Sequence, residues 1–592
     1  MRKKILALLL ALMTCVCLTV PAFAAGELTP YTGGFNKNKH DNGGGGRVRT
    51  NFYREGDYYV VVEYNGYNLL VEYYNDDFEL VSARKIPYEN LGRSADTGWG
   101  GFYCGENYNF IVTGGANKAE DNSKAVALVT KYDKNWNKLG SVSLLGANTT
   151  EAFTGGSVRF AEYNGMLYIH TCHEMYKYSD GVNHQANMTF CVRESDMTIT
   201  DGRYGISNNS TGYVSHSFDQ YIMIDQDHNI LTLDKGDAHP RGAALMRYSN
   251  KAGSDKFTGS CEMVTLQDAP SGSPLVAPGG LAETPDYYVT TYRYKVPGES
   301  VESAYVAFTP KNNFTLEATK KIRLADIEPR SATTPVVAPV DLNSGYIIWT
   351  DGEYENIFYV SYTADGTISE VKTAKGHIPD FVPISYNGKL IWYIVSYSAP
   401  TFYTLDASGV TSKPAGIYRA TTIDFSDVKQ GDSYYEPVRW AIDKKIANGT
   451  SATTFSPEKN CTVGQVLTFL WKANGSPEPA GSNSFTDVSS NQYYYKPALW
   501  AKEKGIVSGS TLNAGASCTR GSAVMYLWKL AGKPAPEGPY AVFGDISGEM
   551  ADAVAWAVSK GFTYRSSIFE FGTEQPCTRS QIVTFLYNVY AK

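Results

Sequence analysis

The sequence predicts a mainly β N-terminal domain followed by an α-helical C-terminal third, and three observations carry that expectation. The 592 residues include 44 Tyr and 55 Gly, with only 19% charged side chains. Tyr suits half-buried pleated surfaces and Gly supplies turns of positive φ, so strands and turns should dominate. Between residues 51 and 410 a strand, a polar turn and a second strand recur roughly every 50 residues. After residue 424 the apolar spacing becomes helical, in three segments that align with one another. The chain is too long for one compact domain.

Taken in order, Arg2, Lys3 and Lys4 precede the apolar run Ile5 to Val20 and a small-x-small pattern ending at Ala24, which reads as a signal peptide over 1–24. No later stretch is long and apolar enough to span a membrane. Residues 25–50, which contain the tetraglycine Gly43 to Gly46, read as a flexible leader. Within 51–410 lie hairpin signals such as Tyr58 to Tyr64 before Asn65-Gly66, and Lys389 to Val395 after Asn387-Gly388. The repeating unit begins near Val71, Val129, Cys191, Met246, Ala307, Val360 and Phe402. Seven such units suit a β-propeller of about seven blades, each of about four strands, with a pair of β-sandwiches as the alternative. Residues 411–423 read as a linker.

Of nine cysteines, two fall in the leader, and Cys104, Cys172, Cys191 and Cys261 are irregularly spaced. Cys461, Cys518 and Cys577 recur at intervals of 57 and 59 residues, which marks one repeated, buried position rather than a bridge or metal site. Around them the chain repeats F-x-D-[VI] at Phe425 to Val428, Phe485 to Val488 and Phe543 to Ile546, followed by Trp-Ala at Trp440, Trp500 and Trp556. Each Trp lies in a short helical pattern. A loop, a Cys-Thr pair and a second helical pattern follow, with Thr462, Thr519 and Thr578 as natural N-caps. The repeats occupy 424–480, 481–538 and 539–592.

This pattern resembles the S-layer homology (SLH) family, which joins F-x-D-V, Trp-Ala, a glycine-bounded turn and an I-T-R-A-E-like helix start. The resemblance implies a pseudo-threefold helical domain that binds secondary cell-wall polysaccharide, often at its pyruvylated end, without covalent attachment. Carried over by position, the binding residues would be Asp427, Trp440 and Gly449 in repeat 1, Asp487, Trp500, Gly509 and Arg520 in repeat 2, and Asp545, Trp556 and Arg579 in repeat 3. Repeat 2 is the most complete copy; repeat 1 has Val463 where the family has Arg, and repeat 3 lacks the second turn Gly. Arg520, then Arg579, would meet a pyruvyl carboxylate at a helix N-terminus. The competing reading makes the three Trp core residues and the three Asp turn caps.

Six of the eight His fall within 70 residues of the third and fourth units. His170, His216, Asp237, His239 and Arg241 are the residues that could form a site on the propeller face, for general acid–base work if they converge. Against a metal, His170 and His173 stand three apart on a strand and point to opposite faces, and no spacing matches a zinc pattern. The plainer reading is that these His join blade edges through hydrogen bonds. No complete catalytic motif and no cofactor signal is present.

With a pI near 5.7 and a net charge of −7, capture of nucleic acid is not expected. Residues 424–592 balance 16 Lys plus Arg against 15 Asp plus Glu, so the acidity lies upstream and a near-neutral anchor faces the anionic wall polymer. The expected protein is exported and attached at the cell surface, and its propeller binds an extracellular glycan or protein. The alternative is a wall-anchored glycan hydrolase or lyase with its active site on the propeller face.

Overall fold

In the computed structural model, described residues run from 29 to 591, apart from 35, 37–47, 93–97, 155–157, 239, 270–275, 328–332, 351–355, 397, 399, 419–422, 430, 537–542 and 564–569. The chain divides into two compact units, Phe23–Tyr418 and the C-terminal part from Arg419 to Lys592. The signal-peptide reading lies outside the described residues.

The first unit is a seven-bladed β-propeller. Its seven sheets follow one another along the chain, each with four antiparallel strands in sequence order. They cover 50–86, 99–145, 159–203, 217–268, 277–327, 336–375 and 384–414. First strands of successive blades adjoin, so they line the centre. Tight turns form where the sequence permits positive φ. Asn387 and Gly388 take φ of 50° and 73° between the paired Tyr386 and Lys389, the backbone twist that joins right-twisted strands in a two-residue hairpin.

Two features differ from the sequence reading. The propeller does not end at 410: strand Gly409–Pro414 completes blade 7, and Gly416–Ile417 pairs in parallel with the outer strand of blade 1. Residues 411–414 and 416–417 of the expected linker are therefore sheet, and their polar composition reflects an exposed edge. Nor is all of the Gly-rich leader loose. Asn36 is fully buried, its side chain donating to the Tyr393 carbonyl (3.0 Å) and accepting from the Val395 N–H (2.8 Å). A side-chain amide offers both a donor and an acceptor, so it serves as a strand edge there. Gly43 to Gly46 lie outside the described residues. An aromatic cluster closes the ring between blades 7 and 1, including Phe78 stacked on Phe402 at 4.5 Å.

Among the described residues the second unit contains six helices, Tyr435–Asp443, Val463–Ala473, Tyr495–Glu503, Arg520–Leu530, Glu549–Ser559 and Arg579–Tyr590, two per repeat. Thr462, Thr519 and Thr578 cap the second helices as expected, and Gln465 and Gln581 complete reciprocal capping boxes. Among the described residues no helix is long and apolar enough to cross a membrane.

Candidate functional site

The C-terminal unit closes on itself through its cysteines. The Cys461 N–H donates to the Cys577 carbonyl (2.9 Å), Cys518 to Cys461 (2.9 Å) and Cys577 to Cys518 (2.8 Å), a cycle that marks the pseudo-threefold axis. All three are buried free thiols, and burial pushes Cys461 up to about 11 and Cys518 up to about 12. They are spacers on the axis, as their periodicity indicated.

Around the axis, each second helix begins on the loop of the next repeat. Val463 and Gly464 donate to the carbonyls of Ala516 and Ala514, Arg520 and Gly521 to Gln575 and Thr573, and Arg579 and Ser580 to Lys459 and Pro457. Those loops are held by the F-x-D-[VI] aspartates. Asp427 accepts from Phe455 and Ser456 N–H, Asp487 from Leu512 and Asn513, and Asp545 from Phe571, Gly572 and Thr573. Backbone donors hold Asp487 below the usual carboxylate range. Each Asp thus fixes a loop on which another repeat is seated.

This geometry corrects the expectation for the arginines. Arg520 is 2% exposed and Arg579 6%. Arg579 donates through Nε to the Phe455 carbonyl (2.9 Å) and through Nη2 to that of Asn448 (2.6 Å), with its guanidinium over the Phe455 ring at 4.5 Å. Arg520 lies over Phe571 at 4.9 Å, with Nε 3.4 Å from that residue's carbonyl. Both cations are enclosed between repeats, with little surface for a ligand carboxylate. Trp500 and Trp556 are core residues, whereas Trp440 is half-buried against Tyr587. Gly449 admits no side chain, because a Cβ would stand 2.4 Å from the Ser451 carbonyl; Gly509 is required by its φ of 89°. Tyr493, which the sequence pattern did not single out, is 62% exposed and packs edge-on against Tyr494 at 5.0 Å. The run of three Tyr from 493 to 495 was the available signal.

In the propeller the His cluster separates into two places. His170 is fully buried, its Nδ1 2.7 Å from Thr189 Oγ1 and its Nε2 3.1 Å from Asp234 Oδ2 in the next blade. Asp234 also accepts from Ser217 Oγ (2.6 Å) and Asn187 Nδ2 (3.4 Å). The imidazole thus stands between the Asp234 carboxylate and the Thr189 hydroxyl, the order of a hydrolytic triad, but all three side chains are buried and the hydroxyl faces no solvent from which a substrate could reach it. His173 points to the opposite face of the strand, toward Thr149 Oγ1 at 2.6 Å, as the strand period requires. At the surface His216 Nδ1 lies 3.0 Å from Asp237 Oδ1, and Arg241 donates to the Asp237 carbonyl at 2.8 Å. His239 lies outside the described residues. His170 and the His216–Asp237 pair therefore do not share a cavity. Among the described residues no cluster of His, Cys, Asp or Glu could hold a metal ion.

Buried titrating groups give the propeller a defined pH response. Burial drops His173 to about 3 from 6.5, so the stability it contributes is lost as pH falls from about 6.5 toward about 3. Burial, then the carboxyls of Asp380 and Glu72, push Glu63 up to about 8 from 4.5, so its contribution is lost as pH rises between those values. Glu63→Gln should flatten the loss of stability between pH 5 and 8 by about 1.4 kcal/mol per pH unit. Urea midpoints across that range provide the measurement, and an unchanged slope would contradict the assignment.

The S-layer homology domain family matches residues 424–466. That match falls on repeat 1, although repeat 2 keeps more of the motif; repeats 2 and 3 join it through the cyclic bonding described above. An endoglucanase of Bacillus sp. (strain KSM-635) is 31% identical over 93 residues, which are 16% of this chain and 10% of the endoglucanase. The chain thus spans a tenth of that relative's length. Among solved structures, polysaccharide lyase Uly1 is 11% identical with a TM-score of 0.35, covering 67% of this chain and 92% of its own. Cellvibrio cellulosa alpha-L-arabinanase, complexed with arabinohexaose, is 10% identical with a TM-score of 0.28, covering 57% of this chain and 96% of its own. Likenesses this distant carry no argument about chemistry, and the seven blades rest on the strand pairing itself.

Proposed function

We propose that this chain, which carries an S-layer homology domain at residues 424–466, is exported and held non-covalently on secondary cell-wall polysaccharide by its three C-terminal repeats. The propeller is then displayed as a surface that binds an extracellular glycan or protein. The observation that carries this reading is the cyclic joint: three loops clamped by Asp427, Asp487 and Asp545 each seat the helix start of another repeat. Such joints repeat one surface three times, as suits a polymer with repeating sugars. The exposed Tyr493 provides an amphipathic ring for a sugar face. Asp487, Trp440, Gly449 and Gly509 shape this surface, with Arg520 and Arg579 behind it as supports.

Display rather than catalysis is supported by the His residues, because His170 is occupied in joining blades 3 and 4. The chain should co-sediment with wall sacculi and lose that retention once their secondary polysaccharide has been extracted. Undiminished retention on extracted sacculi would overturn the reading.

A further inference from the structure

The His216–Asp237 pair lies where second strands end and third strands begin. The opposite ends of blades 2 and 3 carry a separate cleft of about 390 Å³, lined by Tyr103, Glu106, Glu162, Tyr163 and Asn164. Its walls are built from turns that the strand pairing fixes. Glu106 lies between the first two strands of blade 2, and Tyr163 and Asn164 at the equivalent turn of blade 3. Tyr163 is stacked on His228 of blade 4 at 4.5 Å and hydrogen-bonded to its Nε2 at 2.8 Å, and Tyr103 is stacked on Phe160 at 5.4 Å. Both rings are therefore held in place.

The floor is acidic. Glu162 Oε2 accepts from the Glu106 N–H at 2.8 Å, and it lies so close to Gly105 that a Cβ there would stand 2.2 Å from it. Near it Glu194 is 3% exposed, and its Oε1 meets no donor among the described residues. The cation beside this pair, Lys131, directs its ammonium to the Glu194 backbone carbonyl at 2.5 Å. Glu106 and Glu162 therefore leave the cleft with acidic groups at its lining, while the ammonium of Lys131 is turned to a backbone carbonyl.

We propose that this cleft binds a protonated amino sugar, whose ammonium pairs with the carboxylates of Glu162 and Glu106 while the sugar ring packs between Tyr103 and Tyr163. The volume suits one monosaccharide. An open cleft between two ring walls fits a sugar better than a lysine side chain, and its acidity disfavours uronates and pyruvylated sugars. Burial, then the Glu162 carboxyl, hold Glu194 up to about 8, with Lys131 opposing and Glu106 adding to the rise. This inference rests on the reading of the propeller as a glycan-binding display module.

The test is calorimetry on the whole exported chain with a glucosamine tetramer and its fully N-acetylated counterpart at about pH 6. The glucosamine tetramer should bind, Glu162→Gln and the more exposed Glu106→Gln should each weaken it tenfold or more, and the N-acetylated form should bind at least tenfold more weakly. Equal binding of both tetramers, no binding, or a lysine tetrapeptide binding better would each overturn the proposal. If the N-acetylated form binds and Asp237→Ala abolishes it, the display reading survives and this inference fails.

Discussion

Asp234→Ala is expected to destabilise the propeller by about 3–5 kcal/mol. The substitution strands the Ser217 hydroxyl, the Asn187 amide and the His170 Nε2 in one step, because all three meet the Asp234 carboxylate and none has solvent to turn to. A buried donor without an acceptor costs about 1–3 kcal/mol, and these three share a single acceptor. At the surface, where His216 and Asp237 are 38% and 31% exposed, His216→Ala should change stability by about 0.5 kcal/mol or less. Urea denaturation of the two variants makes the comparison. Equal losses would mean that the buried network is not the joint between blades 3 and 4.

The second large effect is expected between repeats 2 and 3. Asp545→Ala removes the acceptor for three backbone N–H groups and should cost about 3 kcal/mol. Arg520→Ala empties the space between Phe571 and Phe585 and should cost about 2–4 kcal/mol. Because the loop that Asp545 clamps is the one on which Arg520 rests, the double variant should lose about 1 kcal/mol less than the sum. Strict additivity would separate the clamp from the seat. The joint of repeats 1 and 2 has Val463 where the others have Arg, so its helix start meets the neighbouring loop through the backbone N–H groups of Val463 and Gly464 without a cation.

Local patterns were legible in the sequence and distant pairings were not. The intervals between Cys461, Cys518 and Cys577 marked one repeated, buried position, and the cyclic bonding of the structure places that position on the axis. Strand period alone placed His170 and His173 on opposite faces. The seven units followed from strand and turn signals, which are set by neighbours in the chain. By contrast, Asp234 meets His170 across 64 residues and Glu194 lies near Glu162 through a turn of another hairpin, and no local pattern encodes either pairing.

Arg520 and Arg579 were misread for a related reason. A cation at a helix start suits an anionic ligand, but the same position here is buried by a neighbouring repeat whose carbonyls take its N–H groups. The strand Gly416–Ile417 was missed because its two residues and the polar run before it carry no alternation, although backbone bonds to blade 1 hold it.

The central claim is that the C-terminal repeats, and not the propeller, hold this protein on the wall. It is tested most directly by measuring the binding of purified secondary cell-wall polysaccharide to the exported chain and to a chain ending at Tyr418, the last residue of the propeller unit. The account predicts binding by the full chain and none by the shorter one. Equal binding by both would move the anchor into the propeller and contradict it.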